Sequence, residues 1–464
     1  MYSLLVLSTL ACFFALLFTP LVRRVAVRNA WLDHPDGRRK THHHPVPRLG
    51  GFAVAVSIFA TVVVWLVVPL RGALLLHGSL DLAVRLLPAA LLVLMVGLAD
   101  DLRGLTPFQK LAGQTLAALL ACGAGIRMES LAGHAVHGLS GIALTVFWLL
   151  LCMNAFNLID GMDGLAAGVG FLASLTALLA AVLQGNVSLA LAVAPLAGAL
   201  LGFLWFNRPP ASIFLGDGGS LTIGFLLGCY GALWSQKCVT LLGLAAPLMA
   251  LAVPLVEIGV SIVRRYLKGD PLFLGDHNHI HHRLLERGLT PRRAVLILYA
   301  ATGVGAALAL LASAAAGALP ALAIVLFSSF VWIGIQSLGY AEFGAASRLV
   351  WGGGLRRAVR SEIAIEELRV ALTAADGPEQ VWTAVLRVGQ AYGFSSVEMR
   401  WYGSTFRWAS SPAVDSFWSL WIPFDDGDFV RLQRSGGAGA SLPGAGPLAE
   451  TLAAALGSRR LTPR

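Results

Sequence analysis

Long apolar runs separated by short polar segments fill the first 340 residues. A helix needs about 17–25 apolar residues to cross a bilayer. Runs of that kind fall near 2–22, 50–70, 82–99, 107–125, 139–154, 163–184, 187–206, 219–236, 239–263, 293–315 and 319–340. The pattern predicts about eleven transmembrane helices. One apolar stretch is interrupted: between Leu149 and Leu175 the string NAFNLIDGMDGLAAG carries Asn154, Asn157, Asp160 and Asp163. Carboxylates at the centre of a bilayer are expensive and tend to be functional. These four therefore belong to a polar surface or a loop at the membrane boundary rather than to a lipid-facing side. Gly161 and Gly164 would weaken a helix there and let a ligand approach the backbone.

Beyond residue 342 the pattern changes. An amphipathic stretch from Ile363 to Leu372 and a helical pattern from Glu379 to Tyr392 precede the short alternating runs SSVEMRWYG, TFRWASS and SFWSLWIPF, with a glycine-rich end, SGGAGASLPGAGP. Residues 342–464 hold 13 basic and 12 acidic side chains and no run of spanning length. The fold class expected is an α-helical polytopic membrane protein with a small cytoplasmic α+β C-terminal extension. Its division is an integral-membrane domain, 1–340, and an extension, 342–464, whose run from Ala371 to Trp401 faintly resembles the start of a GAF-type module.

Composition agrees. The chain is 57 % apolar and only 13 % charged, where a soluble domain carries about 25 % charge. Basic residues set the orientation. The segments after spans 1, 3, 5, 7 and 9 hold seventeen Lys and Arg, among them Arg23, Arg48, Arg103, Lys110, Arg208, Arg264 and Arg292, against four on the other side: Arg71, Arg85, Arg127 and Lys237. The first set is expected to face the cytoplasm, leaving the N-terminus outside and the C-terminus inside the plasma (inner) membrane. The first run has no basic residue before it and Arg23 and Arg24 after it, so it reads as a retained span. The net charge of +9 then lies largely on the cytoplasmic face, suited to anionic lipid or an anionic substrate. No soluble basic module points to nucleic acid. The five cysteines have no metal-ligand spacing and no disulfide pattern.

Five segments on that one face hold the chemistry: DHPDGRRKTHHHPVPRLGG, ADDLRGLTPFQK, the Asn/Asp string, FLGDGGS and RRYLKGDPLFLGDHNHIHHRL. Each has a plain reading alone. Asp100 and Asp101 could end a span, GDGGS could cap a helix, and basic residues could fix topology. Together they make a set suited to a divalent cation and a diphosphate. Mg²⁺ takes oxygen ligands from one or two side chains plus phosphate and water, and Asn157, Asp160, Asp163 and Asp217 can supply such oxygens. Arg and Lys can neutralise the diphosphate. Phosphoryl transfer rests mainly on positioning and charge, and neither a P-loop nor a Ser-His-Asp order is present.

At RRKTHHHPVPRLGG, DDLRGL, NAFNLIDGMDGLA, GDGGS and HNHIHHRL, in that order, the chain resembles the polyprenyl-phosphate N-acetylhexosamine-1-phosphate transferases, the WecA/TagO-like group of glycosyltransferase family 4 related to MraY. The resemblance covers about residues 1–340. It implies transfer of a sugar 1-phosphate, GlcNAc-1-phosphate foremost, from a UDP-N-acetylhexosamine to undecaprenyl phosphate, with Mg²⁺ (or Mn²⁺) required and UMP released. It also implies the roles. Asp217 binds the metal and Asn157 completes its site. Asp100 and Asp101 are the paired aspartates, the first acting on the acceptor phosphate. Asp160 and Asp163 belong to the nucleotide-sugar site, Asp163 toward the uracil. His279, His281 and His282 lie near the diphosphate as catalytic residues. Lys40, His42, Lys110, Asn154, Arg264 and Arg265 contact substrate.

The chain departs from the group in having Glu257 where an Asp is expected. It departs from the MraY subgroup, the nearest alternative as a phospho-N-acetylmuramoyl-pentapeptide transferase, in HPVPRLGG and HIHH. A polytopic metal transporter is the alternative from another class; it would need ligands near the membrane midplane, whereas these clusters sit at span ends. A homodimer is one assembly open to the chain.

Overall fold

The computed structural model describes residues 2–33, 44–67, 73–131, 134–236, 245–268, 279–314, 318–338, 355–410, 417–423, 427–435 and 445–457. The chain forms two compact units, Met1–Ser261 with Gly275–Gly334, and Ile262–Leu274 with Ile335–Arg464. In chain order the first part runs α1 (Tyr2–Arg28), β1 (Leu32–Asp33), β2 (Val46–Pro47), α2 (Gly50–Val67), α3 (Ala73–Arg103), α4 (Pro107–Gly123), β3 (Ser130–Leu131), β4 (His134–Ala135), α5 (Gly138–Ile159), α6 (Leu165–Leu183), α7 (Val187–Asn207) and α8 (Gly216–Gln236). It continues with α9 (Ala245–Ala250), α10 (Ala252–Lys268), α11 (Ile280–Glu286), α12 (Pro291–Ala314) and α13 (Leu319–Ser337). The division between units falls inside α10.

Among the described residues seven helices are long and apolar enough to cross a membrane: α1, α2, α5, α6, α7, α12 and α13. The protein is a multi-pass membrane protein. The other expected spans are helical too, with interruptions. α4 has 17 residues, α3 ends on Asp100, Asp101 and Arg103, and α8 opens on GDGGS. The ninth is broken at Leu251 between α9 and α10. α7 is central and α13 peripheral: 72 % of the most apolar stretch of α7 is buried inside the protein, against 11 % for α13.

α8 packs against α2, α3 and α5, and small residues permit the close approach. A Cβ on Gly51 of α2 would run into the backbone of Gly218 and Gly219, and one on Gly97 of α3 into Asp217 and Gly218. The first turn of α8 is therefore clasped by two other helices. The segment before α2 adds a third contact. Phe214 N–H donates to Pro47 O (2.7 Å), Gly50 N–H to Phe214 O (2.9 Å) and Gly51 N–H to Leu215 O (2.7 Å). PRLGG and FLGD, far apart in the sequence, thus run side by side.

The second unit is α+β. α14 (Leu355–Ala374) and α15 (Pro378–Ala391) precede β5 (Ser396–Trp401), β6 (Ser404–Ala409), β7 (Phe417–Pro423) and β8 (Phe429–Ser435), and α16 (Ala445–Gly457) closes it. The sheet is antiparallel, ordered β6-β5-β8-β7. Alternating residues Val397, Met399 and Trp401 on β5 and Val430 and Leu432 on β8 face a core shared with Leu368, Leu372, Val381, Val385, Leu448, Leu452 and Leu456. β8 and α16 go beyond the expected elements. The alternation in β8 is short, Val430 and Leu432 against Arg431 and Gln433, and the fourfold Leu spacing of α16 follows directly on the glycine-rich stretch.

Candidate active site

The interrupted run resolves into helix and turn. α5 continues to Ile159, so Asn154 and Asn157 are helical, and Asp160 is its C-cap. Residues 160–164 turn, and Gly164 starts α6 with φ +78°, a left-handed conformation that suits glycine. The turn is tied from three sides. Gly164 N–H donates to Asn207 Oδ1 (3.1 Å), whose amide donates to Ile213 O (2.9 Å). Tyr299 of α12 donates its hydroxyl to Gly164 O (2.6 Å). Ala211 N–H donates to Asp163 Oδ2 (2.8 Å), which engages one oxygen of a residue expected to meet the nucleotide.

Above this turn lies a charged cluster drawn from four helices. The Lys110 ammonium, in the first turn of α4, reaches Asp100 Oδ2 (3.0 Å), Asn157 Oδ1 (3.0 Å) and Asp217 Oδ2. Asn157 donates to Asp217 Oδ1 (2.9 Å) and Ser220 Oγ (3.1 Å). Asp100 also accepts from Leu105 N–H (2.6 Å), which folds the turn between α3 and α4. A Thr106/Gln109 capping box then starts α4 and aims Lys110 inward.

The paired aspartates diverge in role. Asp101 faces the start of α8, where its two oxygens accept the N–H groups of Asp217 and Gly218 (both 2.9 Å). A helix start leaves such donors unpaired and favours negative charge, so Asp101 caps α8 from another helix and sets the direction of Asp217. Glu257 does the same for α11. It accepts from His279 Nδ1–H and from Ile280 N–H (both 2.9 Å), at 2 % exposure. That gives the departure noted at position 257 a concrete task. The rings of His279, His281 and His282 cluster: His279 stacks on His281 with centres 5.5 Å apart, and His282 is tilted against His281 with centres 4.3 Å apart. His281 lies on the 160–164 turn, where a Cβ on Gly161 would meet its Nε2 at 2.8 Å.

The polar ends of these helices, beyond the apolar spans, carry perturbed groups. Burial, and then the Asp217 and Asp101 carboxylates, push Asp160 well up from its ordinary value. Burial and the Asp217 charge push Asp101 up to about 7, against the two backbone N–H groups that favour its anion. Asp217 is raised by burial and by Asp100. Against its own burial, Asp100 is held at about 2 by hydrogen bonds with Asp217, Leu105 N–H and Lys110. Burial and the neighbouring imidazoles lower His281 to about 3, leaving it neutral. Three raised carboxylates, Asp101, Asp160 and Asp217, beside the ionised Asp100 mark a site that calls for more positive charge than Lys110 supplies.

The expected residues thus gather unevenly. Asp100, Asp101, Lys110, Asn157, Asp160, Asp163 and Asp217 are brought together, with His281 against the turn. Asn154 points elsewhere, toward Gln114 and Leu150 O. Lys40 and His42 lie outside the described residues. Arg264 is buried at 1 % exposure and Arg265 half-buried, both on the part of α10 that belongs to the second unit. Sequence reasoning missed Gln114, Asn207 and Tyr299, and it took Arg48 only as a topology signal. Arg48 pairs with Asp33 (2.5 Å), and its charge is felt at Asp101 and Asp160. Gln114, an amide inside an apolar run, was the one signal available.

Residues 83–235 match Glycosyl transferase family 4. The chain is 32 % identical over 289 residues to a probable undecaprenyl-phosphate N-acetylglucosaminyl 1-phosphate transferase of Bacillus subtilis, covering 61 % of this chain and 78 % of the relative. It is 33 % identical to a decaprenyl-phosphate N-acetylglucosaminephosphotransferase of Mycolicibacterium smegmatis, covering 61 % and 75 %. A phospho-N-acetylmuramoyl-pentapeptide-transferase of Streptococcus pneumoniae is 34 % identical over a shorter stretch, 45 % of this chain and 66 % of the relative. By these matches the chain belongs to glycosyl transferase family 4.

Proposed function

We propose that the protein transfers N-acetylglucosamine 1-phosphate from its UDP-sugar to undecaprenyl phosphate, releasing UMP and starting a lipid-linked surface glycan at the cytoplasmic face of the plasma membrane. The names of its relatives support the sugar and the acceptor. The observation that carries the reading is the meeting of Asp100 Oδ2, Asn157 Oδ1 and Asp217 Oδ2 on one cation, the Lys110 ammonium. Among the described residues no three His, Cys, Asp or Glu side chains form a metal-binding group. Mg²⁺ needs fewer, since water and substrate phosphate complete its shell. The donor set is all oxygen and rich in carboxylate, so it fits: Asp217 and Asn157 would hold Mg²⁺ (or Mn²⁺), with Asp100 at its edge. A bound ion there would offset the charge of the diphosphate.

The protein's own groups have separable tasks. An oxygen of the acceptor phosphate attacks the sugar-bound phosphorus, and the bridging P–O bond breaks with its electron pair leaving on UMP. A phosphate monoester has a second pKa of about 6, so the acceptor arrives mostly dianionic. Asp100 then orients it or takes its last proton, while Lys110 balances the gathered charge. Asp160 and the His279–His282 group border the diphosphate.

The test is a donor panel. Purified full-length protein in nanodiscs is given undecaprenyl phosphate and radiolabelled UDP-GlcNAc, UDP-GalNAc or UDP-MurNAc-pentapeptide. Label is expected in lipid from UDP-GlcNAc, lost with EDTA and restored by Mg²⁺. Label from the muramoyl donor alone would favour the MraY-like reaction, and no labelled lipid from any donor would refute transfer.

A further inference from the structure

α4 and α5 pack side by side and meet through two polar rungs. The outer rung is Lys110 to Asn157 (3.0 Å). The inner rung lies one turn deeper on both helices, Gln114 being four residues after Lys110 and Asn154 three before Asn157. Asn154 Nδ2 donates to Gln114 Oε1 (2.8 Å) and to Leu150 O (2.8 Å), and Gln114 Nε2 faces Asn154 Oδ1 at 3.5 Å. The two donations of Asn154 fix which way its amide points. Gln114 is fully buried at 0 % exposure.

This pair lies inside expected membrane spans, where an amide without a partner is costly. Sliding α4 by one turn against α5 would strand both side chains at once, so the inner rung selects one register. That register is also what aims the outer rung. Asn157 holds Lys110 on one side and Asp217 on the other, and Lys110 can reach Asp100 and Asp217 only from its present height on α4. We propose that Gln114 and Asn154 are positioning residues: a buried amide rung that fixes α4 against α5 and thereby places the Lys110 ammonium among Asp100, Asn157 and Asp217. Asn154 then serves the reaction without contacting substrate. The inference rests on the transfer reaction proposed above for its kinetic part only.

Two readouts separate the rung from the reaction. The first needs no activity. Full-length Gln114→Leu, Asn154→Leu and the double variant are melted in detergent. Each single change strands one amide and is expected to lower the melting temperature by several degrees, while the double variant recovers most of the loss. Additive losses would overturn the rung. The second is a kinetic cycle. Misplacing a charged group by about 1 Å can reduce rate by about 100-fold. Gln114→Leu is accordingly expected to lower kcat about 10- to 100-fold with little change in KM for the UDP-sugar, yet to add little in a Lys110→Gln background. Equal losses in both backgrounds would overturn the positioning role. If Gln114→Leu does not fold, Gln114→Asn and the exchanged pair Gln114→Asn/Asn154→Gln replace it, with the exchange expected to rescue kcat. An exchanged pair that folds and stays as slow as Gln114→Asn would also overturn it. Failure of wild-type protein to transfer from any donor would strike the proposed reaction, while the melting cycle still reads the rung.

Discussion

At Asp217 a single carboxylate answers to four neighbours: Lys110, Asn157 and Asp100 around its side chain and Asp101 at its backbone N–H. Replacing it with Asn keeps the shape, and keeps the N–H that Asp101 caps, but removes the charge. Asp217→Asn is therefore expected to reduce transfer to near background while the protein melts within a few degrees of wild type. A Mg²⁺ titration should find the remaining activity nearly flat, and wild-type activity at ordinary Mg²⁺ would rule out a metal role. Such carboxylates were legible because a charge in an apolar chain has few neutral explanations. The divergence of Asp100 from Asp101 was not. Adjacent residues on a helix point about 100° apart, and which one meets α8 depends on packing 116 residues away in the sequence. Glu257 was visible only as an oddity, since its partners, His279 and Ile280, lie beyond a segment with no regular pattern.

Among the elements, α8 is located by what surrounds its first turn. Gly51 on α2 allows backbone contact with Gly218 and Gly219, the two residues that follow Asp217. Gly51→Ala puts a methyl group against backbone that has no rotamer to change, and overpacking of this kind costs about 1–3 kcal/mol. The expected outcome is a lower melting temperature together with lower kcat, because α2 and the start of α8 must part. Gly303→Ala on α12 is the control: its Cβ enters open space, and both quantities should hold or improve. Most helices could be placed from hydropathy, and their ends could not. α5 runs five residues past its apolar limit because Asn154 and Asn157 are satisfied by α4 and α8, a tertiary pairing invisible in a local window. The break at Leu251 escaped the sequence for a related reason: an unbroken apolar run reads as one helix, whether or not it turns within the protein.

For the whole molecule the question is how far the membrane helices depend on the extension. The second unit has its own core, with a four-stranded sheet covered by Leu368, Val385 and Leu452 from three helices. None of the gathered residues, from Asp100 to His281, belongs to it. Its charges nearly cancel, 13 basic against 12 acidic over 342–464, so it exerts little long-range field on an anionic substrate. Truncation after Tyr340 is therefore expected to leave kcat and KM of the purified protein within a few-fold of full length. The second unit also takes in Ile262–Leu274, the stretch with buried Arg264, and truncation deprives that stretch of its companions within the unit. Arg264→Ala in the full-length protein supplies the comparison. If truncation and Arg264→Ala raise KM for the UDP-sugar alike, and together do no more than either alone, the extension acts by holding this end of α10. If the truncated protein stays folded and loses transfer while Arg264→Ala does not, the dispensable reading fails and the extension must contribute to the reaction by another route.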